Sequence, residues 1–157
     1  MNELFGEGLR DVYAANQRGA EAAEATAAAA SNPELKQMLQ SGTEMAKGQV
    51  KRLEQVFGAI GAQPSGRQNA VIDGIITASR QIVDEPTDAA VRDAGIIASG
   101  QIAFHYYIAA YGTLASYART LDMNEAADLL HRTLEEFKQH DEDYTRLAKQ
   151  IVNPRAN

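Results

Sequence analysis

Residues 100–118 read GQIAFHYYIAAYGTLASYA and hold four of the chain's six tyrosines, two of them adjacent at 106 and 107. Phe104, Tyr107, Tyr111 and Leu114 recur at three and four residues, which places them on one face of an α-helix. An aromatic stripe at that spacing is expected to be core, with Tyr107 pointing inward and Tyr106, about 100° further round, pointing out. The stretch lies within a longer helix predicted over 88–121.

The same periodicity continues on both sides. Phe5, Leu9, Val12, Ala20 and Ala23 predict a helix over 3–30, and Leu35, Leu39, Ala46, Val50, Leu53 and Phe57 predict a second over 33–60. Between them, SNPEL (31–35) offers Ser31 and Glu34 as a capping box, with Pro33 in the first turn, where its missing N–H costs nothing. GAQPSGRQNA (61–70) is the clearest loop. A shorter helix over 68–84 carries Val71, Ile75 and Ile82. Pro86 stops it and Thr87 caps the next. Asp122 with Glu125 opens a last helix over 123–152, through Leu130, Leu134, Phe137, Asp141, Tyr144, Ala148 and Ile151, which Asn153-Pro154 ends. Strand signals are absent. The expected fold is all-α: an up-down four-helix bundle of two antiparallel hairpins, with a short extra helix in the central connection, as one domain over 1–157.

Composition narrows the function classes. A chain of 157 residues with 45% apolar residues can bury a core without covalent staples. With no cysteine there is no disulfide framework and no thiolate metal site. The start, MNELFGEGLRDVY, has neither a basic nor an apolar leader region, and no apolar stretch approaches the ~20 residues of a membrane span. The expected location is cytoplasmic. A net charge of -6, without any Lys/Arg cluster, argues against binding a nucleic-acid backbone.

Folding each hairpin about its turn brings Asn16, Met45, Gln49, Phe104, Tyr107, Phe137 and Asp141 to one level at mid-height. In carboxylate-bridged di-metal bundles, that level holds Glu residues and Glu-x-x-His pairs that point inward. Here the polar residues suggest a hydrogen-bonded network in which the Asn16 and Gln49 amides meet the Tyr107 hydroxyl, with Asp141 nearby.

Several blocks together resemble one family: LRDVYAAN, SNPEL, GQVKRLEQVFGAIG, VRDAGIIASGQ, HYYIAAYGTLASYA and AADLLHRTLEEFKQHD. Over nearly its whole length the chain is similar to the YciF-like family of ferritin-like proteins. The resemblance implies a bacterial, stress-associated bundle that is commonly dimeric. Departures fall on the ligand positions. YxAE becomes YAAN at Asn16; EETxGQ becomes EMAKGQ, with Met45 inward and Glu44 turned away; VEHYEI becomes AFHYYI at Phe104 and Tyr107; LEEEK becomes LEEFK at Phe137. Five inward carboxylates are thus replaced. Helix one also carries Gly19, Ala20, Ala22 and Ala23 where related sequences place larger aliphatics, which suggests bulk exchanged between helices at constant core density.

The favoured expectation is a structural or interaction protein with a degenerate, metal-free centre and no cofactor, working as a homodimer or with a protein partner. One alternative is an oxidoreductase or peroxide-handling protein holding Fe or Mn on an unorthodox set of His140, Asp141, Glu136 and Glu44. A second is a small-molecule binder at Gly19/Ala23, with Asn16, Gln49, Tyr107 and His140 at the rim. His105 is expected to be structural and His131 a surface residue. The acidic pairs Glu135-Glu136 and Glu142-Asp143 are expected to form a solvated face.

Overall fold

The structure, a computed structural model, describes residues 1–85 and 87–156, so the expected stop at Pro86 lies outside the described residues. The chain is all-α, with α1 (Asn2–Ala29), α2 (Pro33–Ala59), α3 (Ala70–Asp84), α4 (Ala89–Thr120) and α5 (Asn124–Leu147). A π-helical turn at Ala148–Val152 and a 3-10 turn at Asn153–Arg155 extend α5. No strand occurs among the described residues.

Side-chain pairs fix the directions. Tyr13 on α1 meets Phe57 on α2 with ring centroids 5.6 Å apart, while Ala27 packs with Leu35 and Leu39 at the other end, so α1 and α2 are antiparallel. Arg119 pairs with Asp128, and Gln101 reaches Thr145, so α4 and α5 are antiparallel too. The two hairpins meet along α1 with α4 and α2 with α5. Gly8 faces Leu114 and Gly19 faces Tyr107; Met45 reaches His140 and Arg52 reaches Thr133. Both of these seams are therefore antiparallel as well. It follows that α2 and α4 run the same way, and the link from 60 to 88 must travel back along the molecule. α3 makes that return, packed on α1 and α4.

Helix ends correct three of the expected caps. Asn32, not Ser31, caps α2: its side chain accepts from the N–H groups of Glu34 (2.9 Å) and Leu35 (3.0 Å). Ser31 instead donates its own N–H to Asp93, 2.9 Å away. Asp88, not Thr87, caps α4 by accepting from the N–H of Ala90 at 2.8 Å. Asp122 closes α4 rather than opening α5, with φ 58° in the left-handed region. Its N–H bonds the Arg119 carbonyl, and the Met123 N–H bonds that of Ala118, which completes a Schellman motif. Gly61, at φ 69°, ends α2 in the same way.

Two apolar clusters form the core. One gathers Phe5, Leu9, Leu53, Phe57, Tyr111 and Leu130; the other gathers Leu35, Leu39, Ile96, Ile97, Tyr144 and Leu147. Each large buried side chain contributes roughly 1.5–3 kcal/mol. Phe104 touches both clusters, so the boundary between them falls at mid-height.

At one end Asp93, only 3% exposed, ties the hairpin turn to α4 by accepting from the N–H groups of Ser31 and Asn32, the latter at 2.7 Å. Asp93→Ala would leave the buried Asn32 N–H and the part-buried Ser31 N–H without their acceptor. It is expected to lower stability by about 1–3 kcal/mol, seen in urea unfolding as a lower midpoint at unchanged slope.

Candidate functional site

Mid-height is occupied by an aromatic stack. The Tyr107 and Phe137 rings lie 4.4 Å apart and 9° from parallel. Tyr111 leans on Phe137 at 5.7 Å, and Phe104 meets Tyr144 edge-on at 4.8 Å. The Tyr107 hydroxyl donates to the Ala15 carbonyl at 2.8 Å, and it can do so because residue 19 is glycine: a Cβ there would lie 2.5 Å from the Tyr107 oxygen. Burial pushes the phenols of Tyr107, Tyr111 and Tyr144 well above the ordinary tyrosine range, so all three stay neutral.

The polar contacts differ from the expected network. Asn16 donates to the Val12 carbonyl at 2.8 Å and to the Tyr111 hydroxyl at 2.7 Å, not to Tyr107. Gln49 donates to Glu136 at 3.1 Å, and Arg52 grips both Glu136 carboxylate oxygens, at 2.9 and 2.7 Å, while also reaching Thr133. Glu136 is therefore part of a partly buried α2–α5 bridge and not of a solvated acidic face. Arg52 and Thr133 were not among the expected site residues. Their signal is periodic: Arg52 follows Gln49, and Thr133 precedes Glu136, by three residues, one turn on the same face. Tyr106 does not point to solvent either, because it accepts from Asn69 at 2.5 Å.

Tyr107 stacks on Phe137, Phe104 packs tilted against Phe137 at 6.2 Å, and Asn16, Met45 and Gln49 line the space beside them. Asp141 lies outside this layer on the α4–α5 seam. There it accepts from Gln101 at 3.2 Å and sits 3.5 Å from exposed His105. His131 is exposed.

The metal-ligand candidates are scattered. Glu44 is 72% exposed and pairs with Lys47, Glu136 is held by Arg52, and Asp141 is on the other seam. His140 places Nε2 3.1 Å from the Met45 sulfur, and burial holds its imidazole below the usual range although Asp143 and Glu136 pull the other way. Among the described residues, no three His, Asp or Glu side chains gather as a metal would require. One histidine beside a thioether does not supply the oxygen-rich set that iron or manganese takes, so these residues do not fit a di-metal centre.

Bulk exchange between helices leaves space unfilled. A cavity of about 130 Å³ lies between the two core clusters, with Phe104, Tyr107 and Phe137 among its walls and the small residues of α1 beside them. All five helices line it, with Ala20 and Ala23 on α1, Ala46 on α2, Ile76 on α3, Phe104 on α4 and His140 on α5.

Comparison with known proteins agrees with this architecture. A family model described as a domain of unknown function, DUF892, matches residues 1–157. The chain belongs to the DUF892 family. It is 36% identical to protein YciF of Escherichia coli, with 99% of this chain and 95% of that protein covered. The crystal structure of the E. coli stress protein YciF superposes with TM-score 0.93 at 35% identity, covering 97% and 96% of the two chains. A second solved structure, YcfI of Rhodopseudomonas palustris, for which a structural role has been suggested, gives TM-score 0.90 at 36% identity over 92% of each chain. No helix among the described residues is long and apolar enough to cross a membrane.

The Arg52–Glu136 bridge makes stability depend on pH. Burial alone would raise the Glu136 carboxyl, but the hydrogen bonds from Arg52 and Gln49 and the Arg52 charge outweigh it, so it titrates below its ordinary value of 4.5. A carboxyl depressed on folding contributes stability above the unfolded value, which is lost as pH falls through the folded one. Glu136→Gln is expected to cost about 1–3 kcal/mol at neutral pH, a deficit that shrinks below about pH 4.5. Urea midpoints of both proteins across pH 3–7 check it.

Proposed function

We propose that this chain is a single ferritin-like four-helix bundle domain with a metal-free centre, acting as a cytoplasmic structural or interaction protein of the stress-response type and not as an enzyme. The observation that carries this reading is the central layer itself. Where the family pattern has five inward carboxylates, Asn16, Met45, Phe104, Tyr107 and Phe137 sit in or beside a neutral aromatic stack. Five buried carboxylates without metal would repel one another and lose hydration; neutral and aromatic groups remove both costs together. The solved relatives described as a stress protein and as a suggested structural protein support the same direction.

Metal loading tests the centre. Protein treated with excess Fe(II) or Mn(II) and then desalted is expected to retain well under one ion per chain. About two ions per chain at micromolar affinity, the stoichiometry of a di-metal bundle, would overturn the reading.

The interaction role draws support from α4. Between Asp93 and Arg119 that helix has no Asp, Glu, Lys or Arg, yet it presents Ile102 at 60% exposure. A homodimer formed through this uncharged face is expected to sediment at twice the 17.0 kDa chain mass. Ile102→Glu should shift it to monomer, whereas a monomeric unaltered protein would remove the dimer from the proposal.

A further inference from the structure

The cavity at mid-height has a chemistry of its own. None of its lining residues is Asp, Glu, Lys or Arg, and its walls are mostly apolar: Ile72, Ile76, Ile96, Ala23, Phe104 and Phe137. A free ion would lose its hydration there without a partner of opposite charge. An apolar cavity of about 150 Å³ stays dry and takes up a molecule the size of benzene; this one, at about 130 Å³, is close to that size. It is not sealed, since Ala22, Ala46 and Ile75 on three different helices line it and are only half-buried.

Several wall residues are polar, Thr26, Ser79, Ser99 and Tyr144 among them, and Asn16 and Gln49 are the two amides, each with unspent acceptor capacity. Asn16 and Gln49 are each only 2% exposed. The Asn16 amide group is spent on Val12 and Tyr111, and the Gln49 amide group on Glu136. Neither side-chain carbonyl oxygen receives a hydrogen bond from the described residues, yet neither is a sealed orphan; among the described side chains that position belongs to the Arg92 Nε atom. Both oxygens therefore reach open space, and the space that both residues line is this cavity. Two acceptors without donors, in a neutral apolar chamber, call for a guest that brings a donor.

We propose that the cavity is a binding site for a small uncharged molecule with a ring-sized apolar body and a hydroxyl or N–H donor, for which phenol is the simplest probe. The apolar body occupies the space between Ala23 and the isoleucines of α3 and α4, and the donor is accepted by the Asn16 or Gln49 carbonyl. The site needs neither a metal nor a protein partner, so it stands or falls separately from the role proposed above.

Phenol and toluene, of nearly equal size, separate the two halves of the proposal. Titration of the full chain, followed by NMR, is expected to show saturable one-to-one binding of phenol. Intermolecular cross-peaks should run from its ring protons to the methyl groups of Ile76 and Ile96. Ala23→Leu, which fills the space, should abolish binding while raising or preserving the thermal midpoint. No saturable binding, cross-peaks to other residues, or unchanged binding in a folded Ala23→Leu protein would overturn the site. If that variant does not fold, the cross-peaks in the unaltered protein decide. Phenol is expected to bind at least as tightly as toluene; toluene binding about tenfold tighter or more would overturn the role of the carbonyl acceptors, because a purely apolar chamber penalises an unpaired hydroxyl.

Discussion

The Tyr107–Phe137 stack is the contact on which the middle of the molecule depends. It joins α4 to α5 face to face, and the Tyr107 hydroxyl carries the connection to α1 through the Ala15 carbonyl. Three helices are thereby set at one height by neutral groups. In a di-metal bundle, carboxylates and ions tie helices together by charge and need matched stoichiometry to remain neutral. Ring stacking has no such requirement, and the layer is insensitive to the protonation of its phenols because burial keeps them neutral. The arrangement also needs Gly19, since any larger residue would meet the Tyr107 oxygen.

Charge lies at the edge of the layer. Arg52, Glu136, Gln49 and Thr133 form a compact bridge between α2 and α5, with the carboxylate gripped from both sides. Such a group satisfies its own polarity within the chain. A carboxylate already held by a guanidinium has fewer lone pairs left for another partner, and Glu136 is held in that way.

Much of the fold was legible in the sequence because each helix repeats its apolar residues at three and four positions and loops punctuate them. The helix bounds fall within a few residues of those expected over 3–30, 33–60, 68–84 and 88–121, while the fifth helix changes to a π-helical turn at Ala148. Caps were less legible. Ser31, Thr87 and Asp122 each adjoin the residue that performs the expected function or serve the opposite helix end, and only backbone angles and tertiary contacts such as Asp93 decide between neighbours. The central level was legible for Phe104, Tyr107 and Phe137, which lie on the inner faces of long regular helices. It was not legible for Asp141, whose Gln101 partner is a contact across helices, nor for the choice of Asn16 between two tyrosines one turn apart. The cavity was legible only as one alternative, at Gly19/Ala23 with Asn16, Gln49, Tyr107 and His140 at the rim, all of which line it; counting side-chain volume does not decide whether aromatic rings fill the space opposite small residues.

The return path of α3 bears on access to that chamber. Helices of about 12–15 residues are marginal in water unless packing holds them, and α3 has 15 residues, with Ile72 and Ile76 buried. It supplies one wall of the cavity, yet it is tethered by a loop at its start and by the short 85–88 link at its end. The long hairpins are held by extensive contacts within and between them, whereas α3 packs mainly on α1 and α4. Packing therefore has to hold α3 in place, and because this helix supplies one wall of the chamber, any local opening of it would expose the interior to its surroundings.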